Sequence, residues 1–212
     1  MAKYGDLPFS LGIVELNCNE MMFYQYLPIK LSGGNEIVRE DRLSCFDSII
    51  GRCCCDFIGL LGLNRFIEAY VYLTAKHMYQ APGCSFNRPG YHSDGYKTPD
   101  LNYIVSDVHP TVFNTSEFVL SEDENQSMVD MQKQADARNN HTFLNNTLLR
   151  LNQYNIHKVN DFPYIGMRTF VKVSFSKDRY DLKGNSHNYL LDYEWEMRER
   201  AATRNVPQTL TN

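Results

Sequence analysis

The sequence lacks any apolar run long enough to cross a bilayer: its longest, around Phe57–Leu63, falls far short of the ~20 residues a helical span needs. It opens MAKYGDLPF, without the cationic-then-apolar pattern of a secretory leader, so a soluble, cytoplasmic protein is expected. A large charge of one sign is lacking too. Lys and Arg number 21 against 25 Asp and Glu, and the formal net charge of −4 argues against a protein that holds nucleic acid by bulk charge. The six cysteines, at 18, 45, 53, 54, 55 and 84, are spaced neither as a CxxC knuckle nor as a disulfide framework, so buried, reduced thiols are expected. No glycine-rich phosphate loop of either standard spacing occurs, which sets the common nucleotide folds aside.

What is present suffices for a real core: 43% of the 212 residues are hydrophobic, which excludes intrinsic disorder. No repeat and no low-complexity linker divides the chain, so residues 1–212 are read as a single domain. Residues 1–67 read as helical and strand support, in which 43–63 repeats apolar positions at three- and four-residue intervals, the pattern of a buried helix weakened by Gly51, Gly59 and Gly62. From Glu68 the period changes to two. Val71, Leu73, Ala75, His77 and Tyr79 fall on one face of a strand, Tyr70, Tyr72, Thr74, Lys76 and Met78 on the other. Extended segments recur at 101–113, 147–160 and 167–176, so residues 68–180 form the predicted β core, with a polar, lid-like insert at 114–150. Residues 181–212 read as a solvated C-terminal helix, packed through the lone Trp195, and a fraying tail. Strands concentrated in the middle with helices outside them predict a mainly β, antiparallel fold with flanking helices.

The most informative local feature is His92-Ser93-Asp94. In extended backbone, residues i and i+2 share a face, so this imidazole and carboxylate can reach one cation together. A second imidazole, His157, follows an apolar extended run, and ten residues separate it from Arg168. Two histidines and one carboxylate on one side of a metal form the facial triad of non-haem Fe(II) oxygenases, which leaves the opposite positions open. The planar fork of an arginine one strand away suits a carboxylate. His109 and His187 read as loop residues that stand as alternatives to His157; His77 reads as a core histidine and His141 as part of the polar insert.

With these residues in place, about half the chain, Tyr70–Arg179, resembles the 2-oxoglutarate/Fe(II)-dependent dioxygenases, in particular their prolyl-hydroxylase-type members. MYQAPG ahead of YHSDG resembles the strand and turn that precede the motif in that family, and RTFVKVSFSKDR resembles its last core strand. The resemblance implies a double-stranded β-helix, a cupin-like jelly roll, with His92, Asp94 and His157 as ligands of Fe(II). It implies that Arg168 holds the far carboxylate of 2-oxoglutarate and that O2 is the oxidant in a hydroxylation of an unidentified substrate. The Ser or Thr often found two residues after the arginine is Phe170 here, so a second anchor must come from elsewhere; Tyr103 is the candidate and Tyr79 its alternative. The Asn-x-Tyr of AlkB-type members is His77-x-Tyr79, so nucleobase demethylation is not implied. Two rival readings remain: a cupin-like binding or structural protein without oxidative activity, and a Zn(II) or Mn(II) hydrolase or isomerase at the same ligands.

Overall fold

In the computed structural model, which describes residues 3–84 and 87–200, the period-two segments all become strands. In chain order they are β1 (Phe9–Ile13), β2 (Met22–Lys30), β3 (Tyr70–Gln80), β4 (Leu101–Ser106), β5 (Val112–Asn114), β6 (Asn140–His141), β7 (Thr147–Leu151), β8 (His157–Lys158) and β9 (Gly166–Ser176). They form one six-stranded sheet in the order β1-β7-β4-β9-β3-β2 and one three-stranded sheet in the order β6-β5-β8. Every pairing between named strands is antiparallel. The fold is mainly β and is not a closed barrel.

From β3 onward the chain alternates between the two sheets. It leaves the large sheet after β3, touches the small one where His92 bridges His157, and returns as β4. Strands β5 and β6 lie in the small sheet, β7 in the large, β8 in the small and β9 in the large again. The spine of the large sheet is β3 against β9, paired along their full length from Tyr70 opposite Ser176 to Gln80 opposite Gly166.

Alternation decides what each face of that sheet does. Val71, Leu73 and Ala75 of β3, with Val171, Val173 and Phe175 of β9, are buried in the main core. The helix α1 (Asp47–Leu61) covers them, presenting Ile49, Ile50, Cys53 and Phe57 from one side of its axis. Phe57 stacks on Phe175 at 4.3 Å between ring centroids. The spacing in 43–63 thus predicts the helix correctly. A 3-10 turn (Asp41–Phe46) precedes it, and Gly62, at φ 87°, ends it before the short α2 (Leu63–Glu68). All six cysteines are free thiols; Cys18 and Cys53 are buried as expected and Cys45 and Cys54 partly so, whereas Cys55, carried out of the buried face by the turn of α1, and Cys84, in the turn after β3, are exposed.

One polar cluster pins α1 to the sheet. Arg150 Nη1 donates to both oxygens of Asp56, at 3.0 and 2.8 Å, and the Tyr103 hydroxyl donates to Asp56 Oδ2 at 2.8 Å. Removing the acceptor leaves a buried phenol and a half-buried guanidinium without this carboxylate, so Asp56→Ala should cost about 2–3 kcal/mol of folding free energy. The shift of the urea midpoint measures it; a change under about 0.5 kcal/mol would refute this role for Asp56.

The polar insert has secondary structure of its own. Its helix α3 (Glu124–Gln134) starts at Asp123, whose side chain accepts from the Gln126 backbone N–H, and it buries Met128 and Met131. The C-terminal expectation needs correction: residues 181–200 contain no helix. Arg198 forms a short parallel bridge with Leu182 and an ion pair with Asp181, and Trp195 packs edge-on against Tyr70 at 5.6 Å. Aromatic docking on the sheet and the Asp181 ion pair outweigh the local helical preference of EWEMRER. Residues 201–212, which take in the end of the expected helix and the expected fraying tail, lie outside the described residues. Among those described, no helix is long and apolar enough to cross a membrane.

Candidate metal centre

The opposite face of the large sheet, with the small sheet and the loops between them, encloses a cavity of about 680 Å³, within the roughly 300–1,000 Å³ of small-molecule sites. Thr74 and Lys76 of β3 line it, as do Asn102 and Ile104 of β4 and Arg168, Phe170 and Lys172 of β9. His92, Asp94 and His157 stand in its wall. One potential ligand atom from each of these three lies within 4.8 Å of the others.

Main-chain structure places all three. His92 and His157 exchange two backbone hydrogen bonds of 2.9 Å, which sets their ring centroids 4.5 Å apart. Asp94 follows two residues on and is turned inward by Gly95 at φ 67°. A Cβ at residue 95 would sit 2.6 Å from Thr98 Oγ1 and 3.1 Å from Asp100 Cβ, so only glycine fits.

The ring nitrogens are pre-set for ligation. His92 Nδ1 lies 3.0 Å from the Gly90 carbonyl and His157 Nδ1 lies 2.9 Å from the Asn155 carbonyl. A carbonyl only accepts, so each Nδ1 carries the proton and each Nε2 keeps its lone pair. Burial, with His157 alongside, pushes His92 down to about 3, and burial lowers His157 as well, so both stay neutral. Desolvation opposes the Asp94 carboxylate, but the Lys172 ammonium and the two imidazoles outweigh it and hold Asp94 well below the usual carboxylate range. Two neutral imidazoles and one carboxylate are the donor set a divalent transition metal takes.

These shifts carry a pH signature in chelator-treated protein. Between the unfolded histidine value near 6.5 and about 3, the unfolded chain takes up a proton at residue 92 and the folded chain does not. Stability should therefore fall with acidification from pH 6.5, by about 1.4 kcal/mol per pH unit for His92, with His157 adding in the same direction. Urea melts of the wild type and His92→Gln across pH 4–7 read the difference; parallel curves would contradict it.

Lys172 is the neighbour that sequence reasoning did not assign. Its Nζ donates to Asp94 Oδ2 at 2.6 Å and lies 3.4 Å from the Tyr26 hydroxyl. A lysine in the middle of an apolar strand is costly unless a carboxylate meets it, so the signal was present in FVKVSF. Tyr26 gave no such signal. It occupies a bulge of β2 at φ 47°, strained for a non-glycine residue, with its N–H donating to Thr74 Oγ1 at 3.0 Å.

Arg168 is almost fully buried in the same cavity. Its Nε donates to the Val108 carbonyl at 3.0 Å and its Nη2 to the His109 carbonyl at 3.1 Å. The guanidinium lies 5.3 Å from the Phe162 ring centroid and 5.2 Å from that of Phe170. Nη1 is buried without a hydrogen-bond partner, and burial pulls the group down to about 10. A buried donor left unpaired beside a cavity fits an anionic ligand.

The two candidate anchors lie elsewhere. Tyr103 belongs to the helix-covered face, its hydroxyl taken by Asp56, because Asn102 and Ile104 hold the cavity side of β4. Tyr79, at the end of β3, is 58% exposed and does not line the cavity. The remaining histidines stay outside the cluster: His77 meets Thr169 Oγ1 at 3.0 Å, His109 packs on Phe162 and Tyr164, His141 meets Thr115, and His187 packs between Tyr189 and Tyr193.

Comparison with known proteins adds no relative: no family model, no curated protein and no solved structure matches the chain, so the resemblance to the dioxygenases rests on His92, Asp94, His157 and Arg168 and on where the fold puts them.

Proposed function

We propose that the protein is a non-haem Fe(II)- and 2-oxoglutarate-dependent dioxygenase that hydroxylates a small-molecule or residue-level substrate. The convergence of His92, Asp94 and His157 on one point carries the reading. The winding of β3–β9 between two antiparallel sheets supports it, because that alternation is the path of a double-stranded β-helix. The unpaired Nη1 of Arg168 supports the co-substrate.

Each residue has a role in this reading. His92 and His157 offer Nε2 lone pairs and Asp94 an anionic oxygen, together filling one side of the ion. Lys172 donates to Asp94 and keeps the carboxylate from rotating, as outer-shell partners of metal ligands do. Arg168 presents Nη1 to the far carboxylate of 2-oxoglutarate, while Phe162 and Phe170 exclude water from that pair. Bound Fe(II), with one dioxygen and one 2-oxoglutarate, supplies the oxidation that turns a substrate C–H into C–OH, leaving succinate and carbon dioxide. The test is anaerobic uptake of Fe(II) and 2-oxoglutarate by the full chain, followed by succinate formation on admitting air. Protein that binds neither would end the proposal.

One observation favours the rival reading of a cupin-like binding protein without oxidative activity. The ammonium of Lys172 already neutralises Asp94. If that pair replaces a metal instead of supporting one, Fe(II) affinity should rise when Lys172 is changed to Met; in the enzyme reading it falls by about 10–100-fold.

A further inference from the structure

Among the described residues, four buried side-chain polar atoms have no hydrogen-bond partner, and three of them belong to neighbouring side chains: Nη1 of Arg168 and both amide atoms of Gln80, Nε2 and Oε1. Each of the two residues is 1% exposed. Strands β3 and β9 set them side by side. Met78 is opposite Arg168 and Gln80 opposite Gly166, so Gln80 is the diagonal neighbour of Arg168, roughly 7–8 Å away across the pair and within reach of two long side chains. Alternation gives Gln80 the same face as Thr74 and Lys76, which is the cavity face. The guanidinium turns its Nε–Nη2 edge to the carbonyls of Val108 and His109, beyond β4, which leaves Nη1 on the edge toward β3. Gln80 does not line the cavity itself. It stands one step past Arg168, where the end of a ligand lying along the wall would meet it.

We propose that Gln80 is the second anchor of the acid held by Arg168, in place of the hydroxyl that Phe170 does not offer, and that the two residues together read a terminal carboxylate.

A buried polar group left unpaired is destabilising, and these two side chains do not relieve each other. A carboxylate between them relieves both. Its two oxygens accept from Nη1 of Arg168 and Nε2 of Gln80, and Nη1 has a second hydrogen for Oε1, so all three atoms are bonded. The amide adds no charge, so what it adds is discrimination: a ligand with a methyl group in that place leaves the same three atoms unpaired. That the carboxylate is the far end of 2-oxoglutarate rests on the dioxygenase reading; that the recess takes a carboxylate rests on the unpaired atoms.

The full chain loaded with Zn(II), which has no redox chemistry, is titrated by calorimetry with 2-oxoglutarate and with 2-oxopentanoate, in which a methyl group replaces the far carboxylate. Chelator-treated protein is titrated with glutarate. Gln80→Leu should lower affinity for 2-oxoglutarate and glutarate about tenfold or more and leave 2-oxopentanoate within about twofold. Its urea midpoint should hold or rise, since leucine removes two unpaired atoms from the interior. Gln80→Glu should weaken both dicarboxylates further, because its carboxylate takes Nη1 for itself. A glutamine with a purely structural role would instead lose stability and both oxo acids together on change to leucine, and that result would overturn the proposal. So would unchanged 2-oxoglutarate affinity in Gln80→Leu when Arg168→Met lowers it; the dioxygenase reading would then stand without this anchor. Glutarate binding that depends on Gln80, with no metal-dependent uptake of 2-oxoglutarate, would keep the recess and refute the dioxygenase reading. Failure of the wild type to bind either dicarboxylate would end both.

Discussion

Replacing His157 with alanine should abolish metal-dependent succinate formation, by about 1,000-fold or more, and remove stoichiometric metal from purified protein. The effect is this large because the residue's Nε2 is one of three donors and no nearby histidine substitutes for it. His92 is already in the cluster, and His77, His109, His141 and His187 have other partners. The fold should survive. The backbone exchange between residues 92 and 157 does not depend on the imidazole, and removing it deletes a group whose burial opposes its charged form. Retained turnover in a folded His157→Ala protein would mean that the metal lies elsewhere.

Arg168→Met carries the second large effect, with an uncommon combination of signs. Affinity for 2-oxoglutarate should fall about 100-fold, the loss of a desolvated charge-assisted contact. Folding stability should hold within about 1 kcal/mol or improve, because methionine fills the slot between Phe162 and Phe170 without burying a charge. The lost bonds to Val108 and His109 set the limit of that gain. If stability and affinity collapse together, Arg168 is a structural clamp for the segment after β4, and its unpaired Nη1 has no ligand to meet.

Much of this was legible in the chain because alternation is a direct geometric rule. The period of 70–79 separates Lys76 from Val71, Leu73 and Ala75, and His92-x-Asp94 marks two ligands on one face; that Lys172 and Arg168 share the side of Lys76 comes from the register of β9 against β3. What escaped has physical reasons. The parity of β4 follows from its register against β9, which no local pattern encodes, so Tyr103 was placed on the wrong face. Strands β1 and β2 draw their stability from edges offered by β7 and β3, partners far away in sequence, and the bulges in both blur their period. The segment 181–200 has good local helical preference but no apolar stripe to bury, and aromatic contacts with the sheet decide its path.

The hydrogen-bonded pair of residues 92 and 157 joins points sixty-five residues apart, across which β4, β5, α3, β6 and β7 must already have found their places. Such distant closure comes late in assembly. A metal held by these ligands would therefore have nothing to grip in a partly folded chain, and would act as a lock on a finished architecture instead of a template for building one. In refolding, recovery of metal uptake should trail recovery of sheet signal, and added metal should slow unfolding far more than it hastens folding.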